Sequence, residues 1–303
     1  MARDVCVVIV HGINTDAAGY SARYQQRVKN ALPKPLRQHV FFAEVFWAEH
    51  LRDRQRAYLS NAEKSGLRYS RWRKLAMQAL GDAAAYQKTQ WVRNSSYYTV
   101  QQRVLAKLQE LETMNSARPV IFVGHSLGCH VISTLAWDIH TVKAMTQADI
   151  DAQPDEDWRR FATDIRNGSQ MVRLDTFAGL ITLGNNMPLF TFTFGPERVF
   201  PITRPRAPEV SPAFPGPVLP PVLAEGARWV NIYSPNDLLG YPMKCLNEAY
   251  RNEARLADIA ERVEGPLGFI APLNAYDAHV KYWTNRRVVR ESAKLIREVI
   301  EAP

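Results

Sequence analysis

Short β-branched runs alternate along this chain with stretches of helical periodicity. The runs Val5 to Val10, Val40 to Trp47, Val120 to Val123, Gly179 to Leu183 and Trp229 to Tyr233 are largely apolar, as strands buried on both faces are. Between them, apolar residues recur at helical spacing over Ser21 to Leu32, Thr99 to Leu111, Leu127 to His140, Lys244 to Val263 and Asn285 to Ile300. Strand and helix in alternation is the pattern of a parallel sheet covered by crossover helices, so residues 1–303 are expected to form one α/β domain.

Two stretches break the alternation. Residues 51–98 carry Trp72, Leu75, Ala76, Ala79 and Leu80 at helical spacing, followed by an aromatic group of Tyr86, Trp91, Tyr97 and Tyr98. The segment follows the run Val40 to Trp47, so it leaves the sheet at the strand's carboxyl end, which predicts a helical cap inserted beside the site. Residues 187–226 contain ten prolines from Pro188 to Pro221, which forbid regular helix and central strand and predict a stiff surface loop.

Composition refines this picture in two places. The net charge of +8 is local: residues 51–110 hold 12 Lys or Arg against 4 Asp or Glu, leaving 26 of each sign elsewhere. A basic set such as Arg52, Arg54, Arg56, Lys64, Arg68, Arg71, Arg73 and Lys74 reads as a solvated helical face. It could also attract phosphates, with an anionic membrane surface as the partner. No nucleic-acid motif accompanies the charge, which argues against a nucleic-acid partner. The three cysteines are an odd count without a disulfide framework, which places the expected home in a reducing, cytoplasmic setting, if peripheral to a membrane then only by its surface. No apolar run is long enough to span a bilayer.

The chemistry concentrates at Gly124-His125-Ser126-Leu127-Gly128, a G-x-S-x-G set between a buried strand and a helix. A sharp strand-to-helix turn there pushes Ser126 out at the carboxyl edge of the sheet, at a helix N-terminus whose dipole favours developing negative charge. The first strand ends in His11-Gly12-Ile13-Asn14. Acyl transfer needs two backbone N–H groups aimed at an oxyanion, and Leu127 and Ile13 hold the two places. His11, Gly12 and Asn14 are expected to line the substrate side of that loop, with His11 shaping it by local hydrogen bonds. Of the seven histidines, His279 stands in a loop-like stretch just before the last helix, where a nucleophilic serine's base belongs in the order serine, acid, histidine. The acid should follow a strand between them. Asp237, in the turn after Trp229 to Tyr233, does; Asp175 precedes its strand, and Asp277 is a lesser rival two residues from His279. No Cys or His grouping has metal-ligand spacing, and no cofactor motif is present.

With His11-Gly12-Ile13, Gly124-His125-Ser126-Leu127-Gly128, Asp237 and His279 followed by Tyr282-Trp283 in that chain order, the sequence resembles the α/β-hydrolase family, and within it lipases and esterases. The resemblance implies a mostly parallel central sheet, here without the family's first two strands, a Ser126–Asp237–His279 triad and a helical cap. It implies a serine hydrolase of carboxylic esters acting through an acyl-serine, on a small-molecule or lipid ester. An acyltransferase or thioesterase would use the same triad. A reading from another class is a non-catalytic hydrolase-like protein that binds an anionic partner through the basic insertion.

Overall fold

A computed structural model describes residues 2–13, 15–65, 70–87, 96–192, 194–205, 211–263 and 278–303. Six strands form one sheet: β1 (Val5–Val10), β2 (Val40–Val45), β3 (Val120–His125), β4 (Phe177–Leu183), β5 (Arg228–Tyr233) and β6 (Leu256–Ala260). Their order is β2-β1-β3-β4-β5-β6, and each of the five pairings is parallel. Every connection is therefore a crossover, and the crossovers carry helices. In chain order these are α1 (Ala22–Ala31), α2 (Glu49–Lys64), α3 (Ser70–Ala85), α4 (Ser96–Glu112), α5 (Leu127–Lys143), α6 (Gln147–Asp151) and α7 (Glu156–Asn167). They are followed by α8 (Met187–Thr191), α9 (Pro221–Gly226) and α10 (Glu248–Arg251), and the chain ends in α11 (Arg286–Glu301). This is the α/β-hydrolase fold, its central sheet parallel throughout.

The continuous apolar runs follow from burial on both faces. Along β1, Cys6, Val8 and Val10 pack with Val104, Leu108, Val131 and Phe161 of α4, α5 and α7, while Val5, Val7 and Ile9 pack with Tyr24, Val28, Val288 and Ile296 of α1 and α11. Side chains alternate across a strand, so every residue of β1 is core. Because all strands run the same way, the exits of β1, β3, β4 and β5 gather at one edge, where loops of open α/β sheets bind ligands.

Three expectations change. Lys244 to Val263 is not one helix: it holds the single turn α10 and then the edge strand β6, in which Leu256 pairs with Trp229. The Asp258 carboxylate accepts from the Met243 and Lys244 N–H groups and from Asn231 Nδ2, which turns the chain into the strand. The proline-rich stretch is not purely surface. It carries α8 and α9, fully buries Phe214 against Phe177, and donates Gly216 N–H to the Phe177 carbonyl and Val218 N–H to that of Asp175. That contact lies at the start of β4, the end opposite Ser126. Finally, Arg52 does not belong to a solvated face: it is 1% exposed and forms a two-pronged ion pair with Asp82, both contacts 2.8 Å. The side chains of Arg71, Trp72, Arg73, Leu75, Ala76 and Ala79, together with Arg68 and Trp91, lie outside the described residues. Among the described residues no helix is long and apolar enough to cross a membrane.

Candidate active site

Ser126 sits in the turn between β3 and α5 with φ 52° and ψ −124°. A non-glycine residue held there costs about 1–3 kcal/mol of strain, which the surroundings must offset. They do so through the backbone: Ser126 N–H donates to the Leu183 carbonyl at 2.9 Å, and Cys129 N–H donates to the Ser126 carbonyl at 3.0 Å. Close approach demands glycine both in this turn and in the β1 exit that faces it. A Cβ on Gly128 would stand 2.3 Å from the Val10 carbonyl oxygen, and one on Gly12 2.4 Å from Ser126 Cβ. The exit of β1 and the serine turn are thus pressed together, which brings the Ile13 loop beside the serine hydroxyl. Leu127 opens α5, so its N–H has no acceptor within the helix. Asn14 lies outside the described residues.

The turn after β5 and the segment that carries His279 meet the serine turn. His279 Nε2 lies 2.9 Å from Ser126 Oγ, and its Nδ1 lies 2.9 and 3.0 Å from the two oxygens of Asp237. The carboxylate can only accept, so Nδ1 carries the proton and Nε2 accepts from the serine hydroxyl. Ser126, His279 and Asp237 are all buried. Burial pushes the Asp237 carboxyl up, but the His279 ring beside it, the Leu239 N–H at 2.8 Å and the Tyr282 hydroxyl at 2.9 Å outweigh this and hold it below the usual carboxylate range. Asp237 is therefore ionised at neutral pH. Asp175, by contrast, pairs with Lys143 at 2.6 Å and lies at the far end of β4; Asp277 is outside the described residues.

The contacts of three residues around this line escape sequence reasoning because they span long separations. Tyr282 donates to Asp237 and accepts from the Ser234 N–H at 2.7 Å, tying the acid's turn to the His279 segment. His125 Nε2 donates to the His279 carbonyl at 2.7 Å, so the residue inside the serine turn fixes the backbone of the imidazole next to it. Trp47 clamps His11: its N–H donates to His11 Nε2 at 3.1 Å, its indole N–H donates to the His11 carbonyl at 2.8 Å, and the rings stack at 4.6 Å. His11 Nδ1 donates in turn to the Gly12 carbonyl. The expectation that His11 lines the substrate side is corrected: with both ring nitrogens engaged and no exposed surface, its side chain sets the shape of the β1 exit through local hydrogen bonds.

These two histidines also give the fold an acid sensitivity. Burial drives both His11 and His125 down to about 3, so they stay neutral in the folded chain while an unfolded histidine protonates near pH 6.5. Between those values the unfolded state binds more protons, so stability falls as pH falls, by about 2 kcal/mol per histidine between pH 7 and pH 5. The urea midpoint should be lower at pH 5 than at pH 7; an equal or higher midpoint contradicts the neutral assignment.

Neither a scan against protein-family models nor a search of curated proteins finds a match. Among solved structures, a cutinase-like protein from Cryptococcus sp. is similar at 9% identity and a TM-score of 0.40, covering 99% of this chain and 97% of its own. TT1662 from Thermus thermophilus is similar at 12% identity and 0.40, with 100% and 91% covered. A YdeN-like hydrolase from Pectobacterium atrosepticum is similar at 13% identity and 0.37, with 98% and 93% covered. Likenesses this distant carry no functional argument; the fold assignment stands on the strand order and on the serine turn after β3.

Proposed function

We propose that this protein is a serine hydrolase that cleaves carboxylic esters through an acyl-Ser126 intermediate. The observation that carries the reading is the continuous line of hydrogen bonds from Ser126 Oγ through the His279 ring to Asp237. Ser126 Oγ attacks the ester carbonyl carbon while its proton passes to His279 Nε2. The carbonyl oxygen takes up negative charge in front of the Leu127 and Ile13 N–H groups. Collapse of the tetrahedral species breaks the bond to the alcohol, which leaves with the proton from His279. Water then repeats the sequence against the acyl-serine and releases the acid. A thiol leaving group or another acyl acceptor would follow the same steps, and acyl transfer and thioester cleavage remain the neighbouring readings.

The apolar side chains at the same edge favour an ester with a hydrocarbon acyl part. Leu189, Phe192 and Phe194 follow β4, and Leu238 follows β5; all are exposed, Phe192 by 79% and Leu238 by 72%. The exposed Arg54, Arg56 and Lys64 on α2 support an anionic lipid surface as a docking partner, each worth about 1 kcal/mol near such a surface. A series of soluble esters of increasing acyl length tests the reading. Turnover is expected, with kcat/KM rising from acetyl to longer chains; the same ester carried in anionic vesicles should be turned over more slowly as salt is raised. A folded protein that releases acid from no member of the series contradicts the proposal.

A further inference from the structure

The β1 exit loop is held from the side of α2 and α3, which are otherwise remote in sequence from it. Trp47, just before α2, grips His11 at the start of the loop. Five residues after Trp47, in the first turn of α2, Arg52 donates Nε to the Thr15 carbonyl at 3.0 Å at the loop's far end. Its other two nitrogens grip Asp82 of α3 from within the protein, and Gln55 bridges the same pair, accepting from Arg52 Nη1 at 2.7 Å and donating to Asp82 at 2.9 Å. The next loop residue, Asp16, accepts from Gln78 at 2.9 Å and Lys74 at 3.2 Å, both on α3. Ile13 lies between these two anchored ends. A buried arginine with four of its five N–H donors engaged, one from Nε, two from Nη1 and one from Nη2, is a fixed strut, since its planar fork cannot rotate without leaving charge unpaired.

We propose that Arg52, locked by Asp82, is a positioning residue for the oxyanion donor, so that the helical pair α2–α3 completes the catalytic loop rather than only covering it. The inference rests on the serine hydrolase reading, because it assigns Ile13 N–H to the oxyanion. A donor shifted by a fraction of an ångström loses alignment with the charge that develops on the carbonyl oxygen, an effect that belongs to the transition state and leaves ground-state binding alone.

The double variant Arg52→Met with Asp82→Leu removes both charges together and fills their volume with apolar groups, a replacement that buried ion pairs often tolerate without loss of stability. The expected result is a folded protein, by circular dichroism and thermal melting, whose kcat falls about 10- to 100-fold, less than outright loss of an oxyanion donor. KM and the shape of the pH profile should be unchanged, and affinity for a boronic acid that forms a tetrahedral serine adduct should fall in parallel with kcat. Arg52→Lys is the second variant: its ammonium can stay beside Asp82 but cannot also reach the Thr15 carbonyl with a fixed fork, and the same fall in kcat is expected. Parental kcat and boronate affinity in either folded variant overturn the positioning role. A fall confined to KM overturns it as well, since that marks a substrate-contact role. If the parent protein neither turns over esters nor reacts with a fluorophosphonate, the hydrolase reading fails and this inference with it.

Discussion

Under the proposed mechanism, Ser126→Ala is expected to lower kcat for any accepted ester by on the order of 10⁵- to 10⁶-fold and to leave the fold as it is. The expected size follows from the proposed role of the serine oxygen as the atom that bonds to carbon: without it, only the proposed oxyanion donors and binding would remain to help water. The fold should survive because, among the described residues, the hydroxyl's hydrogen bond is to His279, while the backbone bonds to Leu183 and from Cys129 are made by Ser126 main-chain atoms. Alanine occupies the same strained φ with one atom fewer. Steady-state kinetics beside circular dichroism and melting check both halves. Near-parental turnover in folded Ser126→Ala protein would remove the serine from the mechanism.

Asp237→Asn should cost about 10⁴-fold in kcat. The carboxylate accepts from His279 Nδ1 with both oxygens within 3.0 Å, and so keeps the proton on that nitrogen. An asparagine can turn its amide toward the ring and donate to Nδ1. The ring proton then moves to Nε2, which can no longer accept from Ser126. The imidazolium formed during attack also loses its counter-charge in a buried setting, where an unpaired ion is expensive. The Leu239 N–H bonds one carboxylate oxygen and the Tyr282 hydroxyl the other, so in the amide one of the two keeps its acceptor and the other meets the NH2; the side chain's volume is unchanged and packing changes little. A loss confined to KM, or a loss explained by unfolding, contradicts this role for Asp237.

Much of this arrangement is written in local sequence. Ser126 is visible because a β-branched strand, two glycines and a helix must occur in immediate succession for such a turn to form, and Asp237 and His279 because strand order fixes where an acid and a base can emerge. Those three side chains meet in space as their order requires. The supports are not visible in the same way. Arg52 reads as one more surface cation until Asp82, thirty residues on, is placed against it. Trp47 to His11, Tyr282 to Asp237 and His125 to the His279 carbonyl join segments 36, 45 and 154 residues apart, and no local pattern marks them. β6 is hidden for another reason. Leu256-Ala257-Asp258-Ile259-Ala260 has few β-formers, and it becomes a strand because β5 offers an open edge to it. In the proline-rich stretch, composition correctly forbids long regular elements but is silent on Phe214, whose burial depends on the partner Phe177.

The most direct test of the central claim is covalent. The folded parent protein is incubated with a fluorophosphonate, digested, and the modified peptide sequenced by mass spectrometry. One adduct is expected, on Ser126, absent from Ser126→Ala protein and formed much more slowly in Asp237→Asn protein. No adduct in a folded parent, or an adduct on another residue while Ser126 stays free, would contradict it.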